Sequence, residues 1–252
     1  MTFRGSLRKE LLEQWRSYRL VIAVVVLVAF GLLSPLAAKF TPELMQLLPN
    51  GGEIAKLIPP PTTMDAVAQY IKNTSQFALI LAILMTMGAV AVEKDKGTAA
   101  LMLVKPLPRC TFLVAKFIAL ALTFALSILL AAVACYYYTL ILFGALPLAA
   151  WLALNAFLLL EAWFYVALTL LCSTLTRSQA VAGGLGFGFV LLLAILESLP
   201  RLGDYLPGRL TSWGTELLAG GRMQAWPALW VTVGLIGVTL AAACLLFRGQ
   251  EL

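Results

Sequence analysis

Few side chains in this sequence could do chemistry, and their positions say where to look. The densest group is Glu93, Lys94, Asp95 and Lys96, four consecutive charges followed by Gly97 and Thr98 and then by the apolar Leu101, Met102 and Val104. Charges beside a short apolar helical face suit the docking of a partner protein. Glu161 is the one charge embedded in a long apolar run, where an acid is costly and is a functional candidate by default. Its chemistry would be proton or cation coupling. In a structural role the protonated acid would instead bond a hydroxyl or amide on a neighbouring helix. With no histidine in 252 residues, Ser/His/Asp and Cys/His nucleophilic sites and imidazole zinc sites are excluded. Cys110, Cys135, Cys172 and Cys244 are widely spaced singletons, which suggests neither a disulfide framework nor a thiolate metal site. The glycine cluster Gly183 to Gly188, reading GGLGFG, has no Lys-Ser/Thr after it and lies in an apolar run, so it is no phosphate loop. No cofactor site is expected in this chain.

The elements that carry these residues follow from composition. The chain is 62% hydrophobic and 12% charged, against roughly half and one-quarter in ordinary soluble domains. The apolar residues lie in long uncharged runs, the mark of an integral membrane protein. A span needs about 20 apolar residues. Six runs meet that length or nearly so: Leu20 to Ala38, Asn73 to Val92, two within the stretch from Phe117 to about Leu175 divided by a turn at Gly144 to Pro147, Ala180 to Leu196, and Ala228 to Phe247. Against a cleaved signal peptide, the first run exceeds the usual h-region of about 7–15 residues, Glu10 and Glu13 interrupt the basic region before it, and no A-x-A site follows. Twelve Lys and Arg residues fall before span one and after spans two, four and six, with six on the opposite side balanced by six acids. Both termini are therefore expected in the cytoplasm. The net charge of +6 is a topology signal and calls for no nucleic acid. The expected fold class is all-α integral membrane, residues 1–252 forming a single transmembrane domain.

Four segments lie outside the core of the bilayer. In residues 1–19, Leu7, Leu11, Trp15 and Tyr18 share one helical face with Lys9, Glu10, Glu13 and Arg16 opposite, which describes a helix lying in the membrane interface. Residues 39–72 form an outer loop, in which Thr62 and Asp65 predict a capping box and a helix from about Thr63 through span two to Val92. Residues 197–227 mix Pro and Gly with apolar stretches, which predicts short helices dipping back into the interface. Residues 93–116 form a cytoplasmic loop, with Gly97 closing span two, Thr98 capping a short helix, and Pro106 and Pro108 ending it. Within span five, Ala180, Gly184 and Gly188 make a small-xxx-small ridge that permits close helix approach.

The run EKDKGT at Glu93 to Thr98, followed by Leu101, Pro106, Arg109 and Lys116-Phe117, resembles the cytoplasmic loop of ABC-2 type permeases, the membrane subunits of ATP-binding-cassette exporters. The resemblance extends to the interfacial helix, the six spans, the Pro59 to Asn73 segment and the broken outer segment before span six. It implies that Glu93 to Thr98 with Leu101, Met102 and Val104 build a coupling helix docking on a separate ATPase subunit, which holds ATP and Mg. It also implies a second permease subunit, same or different, meeting this one around a path lined partly by spans two and five. The chain would then be a non-catalytic, multi-pass subunit in a bacterial cell membrane, in contact with lipid. The wholly apolar spans suit a hydrophobic or amphipathic cargo such as a peptide toxin, an antibiotic or a lipid. The alternative is a small secondary carrier using Glu161 for ion coupling, which predicts an internal repeat with interrupted helices in matching positions. No such repeat is visible.

Orientation is directly testable. Cys110 is expected to react with a membrane-impermeant thiol reagent only from the cytoplasmic side. Labelling of Cys110 from outside intact cells would reverse the topology and the loop assignment with it.

Overall fold

Lipid cannot satisfy peptide N–H and C=O groups, so an apolar chain of this kind crosses a membrane as helices whose bonds close within each segment. The computed structural model describes residues 3–46, 60–97 and 109–250. Among these the elements are α1 (Phe3–Arg16), α2 (Arg19–Gln46), α3 (Thr63–Thr86), α4 (Ala91–Asp95), α5 (Arg109–Leu142), α6 (Leu148–Leu175), α7 (Gln179–Glu197), a 3₁₀ turn (Gly203–Tyr205), α8 (Gly208–Leu218) and α9 (Trp226–Arg248). No strand occurs among the described residues. Among the described residues six helices are long and apolar enough to cross a membrane: α2, α3 continuing through α4, α5, α6, α7 and α9.

Local chemistry sets several boundaries. Thr62 and Asp65 form the expected reciprocal cap, and α3 starts at Thr63. Gly144, at φ 120°, takes a backbone conformation closed to side-chain-bearing residues and breaks the long apolar stretch between α5 and α6. Gly97 likewise closes the second span at φ 68°, the left-handed position that ends many helices. The first span is longer than its uncharged run: α2 continues past Ala38 to Gln46 and carries Pro35 and Pro42. Hydroxyls bridge carbonyls on this stretch, Ser34 to Phe30 O at 2.6 Å and Thr41 to Ala37 O at 2.6 Å.

The second span departs from the continuous helix expected to Val92. It opens into a turn at residues 87–90 before resuming as α4. A side chain inserted from α6 accounts for the break. Ser173 Oγ accepts hydrogen bonds from the backbone N–H groups of Val90 (3.1 Å) and Ala91 (3.0 Å), and donates to the carbonyl of Met87 at 2.8 Å. One hydroxyl thereby replaces the helical partners that the turn forfeits.

The fourth span is the hub. In its most apolar stretch 72% of α6 is buried, against 28% for α2, 22% for α7 and 17% for α9. Trp151, Leu154, Leu158, Phe164 and Val166 of α6 join Tyr70 and Leu81 of α3 and Phe124 and Ile128 of α5 in the main core. The Tyr70 hydroxyl donates to Asn155 Oδ1 at 2.6 Å, and the Trp163 indole donates to Ala121 O at 3.0 Å. The segment before the sixth span is a 3₁₀ turn and the short helix α8, which lies against α6 through Trp213 stacked on Phe157 at 4.8 Å.

Candidate functional site

The charged residues of the 93–116 segment sort into two sets. Asp95 and Lys96 are exposed on α4 and just beyond it, whereas Glu93 and Lys94 turn inward. Thr98, Leu101, Met102 and Val104 lie outside the described residues, so the helix expected there has no structural account.

Glu93 enters a charge cluster built from three sequence-distant elements. Lys116, only 3% exposed, places its ammonium 3.0 Å from both carboxylate oxygens of Glu10 and 2.9 Å from Glu93 Oε1. Lys9 adds longer contacts to Glu10 (3.6 Å), Glu13 (3.8 Å) and Glu93 (3.7 Å). Lys116 therefore does not sit on a solvated loop. It lies in the third turn of α5, a second charge embedded in a span beside Glu161, with its ammonium 4.9 Å from the centre of the Phe112 ring. Adjacent to it is a small cavity of about 70 Å³.

Docking of α1 explains the geometry. Its buried face is Ser6, Glu10 and Gln14, spaced at i, i+4 and i+8, and that face meets α5. Gln14 accepts a hydrogen bond from the Thr123 hydroxyl. Glu10, assigned to the polar face with Lys9, Glu13 and Arg16, thus belongs to the buried stripe. The Leu7/Leu11/Trp15/Tyr18 stripe is displaced from the bundle, with Trp15 and Tyr18 exposed. The helix has three faces, apolar, solvated and bundle-facing, where periodicity predicts two.

Glu10, Glu13 and Glu93 bring carboxylate oxygens within 4.8 Å of one another, the donor set of a hard cation. The ammonium groups of Lys9 and Lys116 occupy the positions facing these oxygens. The arrangement is a salt-bridge cluster.

Two more contacts fasten the ends of the loop. Lys94 Nζ donates to the carbonyl of Thr174 at the end of α6 and to Gln250 Oε1, both at 2.8 Å. Arg109, first residue of α5, donates from Nη1 to the carbonyls of Phe247 (3.0 Å), Arg248 (3.0 Å) and Gln250 (2.6 Å). The first helix, the end of α9 with Gln250, and both flanks of residues 98–108 thus gather at one end of the bundle.

Glu161 is buried at mid-helix in α6. Tyr165 donates its hydroxyl to Glu161 Oε1 at 2.6 Å, so the partner sits one turn along the same helix rather than on a neighbouring one. Oε2 has no hydrogen-bond partner among the described residues. On α7, internal packing uses glycines other than the ridge. A Cβ on Gly183 would lie 2.8 Å from Met87 Sδ, and one on Gly186 3.2 Å from Thr169 Oγ1, whereas Gly184 and Gly188 have open space beside them. Ala180, Gly184 and Gly188 are exposed on the outside of the chain.

Sequence reasoning missed Lys116, Glu10, Ser173 and Gln250. A lysine directly before a phenylalanine at the start of an apolar run reads as a flank, and nothing in one sequence pairs it with an acid 106 residues away.

Comparisons with known proteins fit this architecture. The family described as ABC-2 family transporter protein matches residues 5–202. The chain is also similar to "Uncharacterized transmembrane protein YxlG" of Bacillus subtilis (strain 168), at 25% identity over 246 residues, covering 96% of this chain and 95% of the relative.

Lys116→Met is expected to leave Glu10 and Glu93 buried together without their shared ammonium, a loss of about 3–5 kcal/mol, seen as a large drop in melting temperature in detergent. Lys116→Arg should retain most of the stability. A Met variant melting like the wild type would remove the cluster from any structural account. For Glu161, glutamine keeps an acceptor for the Tyr165 hydroxyl and should melt normally. Glu161→Leu strands that hydroxyl at about 1–3 kcal/mol and should melt lower; equal melting of the two variants would contradict this.

Proposed function

The chain belongs to the ABC-2 transporter family, and we propose that it is the membrane-spanning permease subunit of an ATP-driven exporter, working as a dimer of permeases with separate ATPase subunits. The observation that carries this reading is the bracing of Glu93 and Lys94. A segment that receives force from a moving ATPase needs a stiff base. Glu93 is held by Lys116 on α5 and, through the same ammonium, to Glu10 on α1. Lys94 is held to the end of α6. In this reading Asp95, Lys96, Gly97, Thr98, Leu101, Met102 and Val104 meet the ATPase, with the exposed charges of Asp95 and Lys96 at the rim of the contact. ATP-driven closure of two ATPase subunits, each holding ATP and Mg, then rocks α1, α5 and α6 together.

The exposed ridge at Ala180, Gly184 and Gly188 favours a second permease subunit at span five, since small residues let helices approach closely in lipid. The apolar spans suit a hydrophobic or amphipathic cargo, a peptide toxin, antibiotic or lipid-like molecule. The residence is the bacterial cell membrane, with the charge cluster on the cytoplasmic side.

A second reading draws on the unpartnered Oε2 of Glu161: a small secondary carrier in which this acid couples an ion. Glu161→Gln separates the two, because glutamine cannot release a proton. Substantial ATP-dependent transport by a normally melting Gln variant favours the exporter; complete loss favours the carrier.

The direct test is biochemical. The purified chain alone is expected to hydrolyse no ATP, and a distinct ATPase should co-purify with it from native membranes. Leu101→Asp puts a charge into the proposed docking contact at a cost of roughly a few kcal/mol and should dissociate or uncouple that ATPase. Unchanged complex recovery and unchanged transport in this variant would reduce the loop to a topological flank.

A further inference from the structure

Helices leave their last carbonyls without partners, and at this end of the bundle those carbonyls are met by side chains of other spans. The ends of α6 and α9 are joined by one residue. Gln250 donates its amide Nε2 to the carbonyl of Thr174 at 3.0 Å, and its Oε1 accepts from Lys94 at 2.8 Å. Its backbone carbonyl accepts from Arg109 at 2.6 Å, and the same guanidinium group reaches the last carbonyls of α9. Lys94 and Arg109 bracket residues 98–108, so Gln250 touches both flanks of the loop and the end of the fourth span at once.

We propose that Gln250, clamped between Lys94 and Arg109, is a positioning residue that ties the end of the sixth span to both flanks of the coupling loop. Displacement of the flanks then moves spans four and six as one unit. The proposal rests on the coupling reading above and deepens it. Helix capping alone would require only that each carbonyl find some donor, and water can serve at an exposed helix end. What capping leaves unexplained is the convergence on one residue of groups separated by 76, 141 and 156 positions.

The same place offers a covalent substitute for the Arg109 arm of the clamp. Cys110 follows Arg109 on α5, and Cys244 lies one turn before Phe247 on α9. Phe112 and Phe247 stack at 6.0 Å beside them. Both thiols are free and half-buried, whereas Cys135 and Cys172 are buried. Diamide oxidation removes two thiol protons and two electrons, reduces the diazene to a hydrazine, and forms a Cys110–Cys244 disulfide joining α5 to α9.

The test uses the permease in a Cys135→Ala, Cys172→Ala background, reconstituted with its co-purified ATPase after oxidation or mock treatment of the permease alone. Gln250→Ala, which loses two hydrogen bonds, and Arg109→Met, which loses three, are expected to keep ATPase binding and basal hydrolysis while cargo moved per ATP falls about three- to tenfold or more. Oxidation, which joins α5 to α9 as Arg109 does, should restore the ratio in Arg109→Met and leave the parent unchanged, whereas Gln250→Ala should stay impaired because its lost bonds lead to α6 and Lys94. Unimpaired coupling in both variants overturns the strut while leaving the coupling reading intact. So does loss in Arg109→Met that oxidation fails to repair, repair of Gln250→Ala by the same oxidation, or an oxidised parent that no longer transports, because the contact must then open during the cycle. Failure of the parent itself to couple to any ATPase would remove the coupling reading and the strut with it.

Discussion

A buried ammonium group governs the basic end of this molecule. Taking Lys116 out of water costs several kcal/mol unless its charge is paired and its protons are bonded. Partners exist only when α1 lies along α5, bringing Glu10, and when the second span returns to the same place, bringing Glu93. One ion therefore fixes the relative placement of three elements that apolar packing alone would leave free to slide. Its contribution is to arrangement more than to net stability, since apolar groups of similar volume often stabilise such a site as well. Placement is also what a segment that transmits force requires.

The same logic extends through the helix ends around it. In lipid an unsatisfied peptide group costs several kcal/mol, so the broken second span persists only because Ser173 supplies both an acceptor and a donor at the break. Lys94 and Arg109 do the corresponding work for the carbonyl ends of α6 and α9. Basic residues near this end thus have two physical roles. They contribute to the charge asymmetry that orients membrane helices, and they terminate neighbouring spans.

Much of the fold was legible because it rests on local signals. Span length, the glycine turn at Gly144, the Thr62–Asp65 cap and the closing glycine at Gly97 are each decided by a few adjacent residues. The errors have one common cause, contacts between distant positions. Lys116 read as a flank because its partner acids lie on other elements. Glu10 read as solvated because a helix with apolar, solvated and bundle-facing sides has three faces, and periodicity resolves two. The second span read as continuous because the residue that breaks it, Ser173, is on α6. For Glu161 the hydroxyl partner was anticipated and its location was not: Tyr165 lies four residues on, a spacing that places both side chains on one helical face. The charged half of the proposed docking segment was visible as a motif, but the inward turn of Glu93 and Lys94 and the outward turn of Asp95 and Lys96 depend on the tertiary fold.

The distribution of burial completes the picture. A membrane helix gains nothing by hiding apolar side chains from lipid tails, so the exposed surfaces of α2, α7 and α9 need no partner on hydrophobic grounds. Close approach is a different matter, because small residues at an interface let backbones meet. On α7 two sets of small residues lie on different faces. Gly183 and Gly186 are consumed by Met87 and Thr169 inside the chain, whereas among the described residues Ala180, Gly184 and Gly188 lie exposed, with open space beside the two glycines. Because Gly183 presses on Met87, at the break in the second span, α7 also touches the structure that leads into Glu93. A subunit packed on the outer ridge would therefore bear on a helix already in contact with the charge-cluster end. In a transporter built this way, the proposed dimer contact and the proposed ATPase contact are separated by one helix and one broken turn.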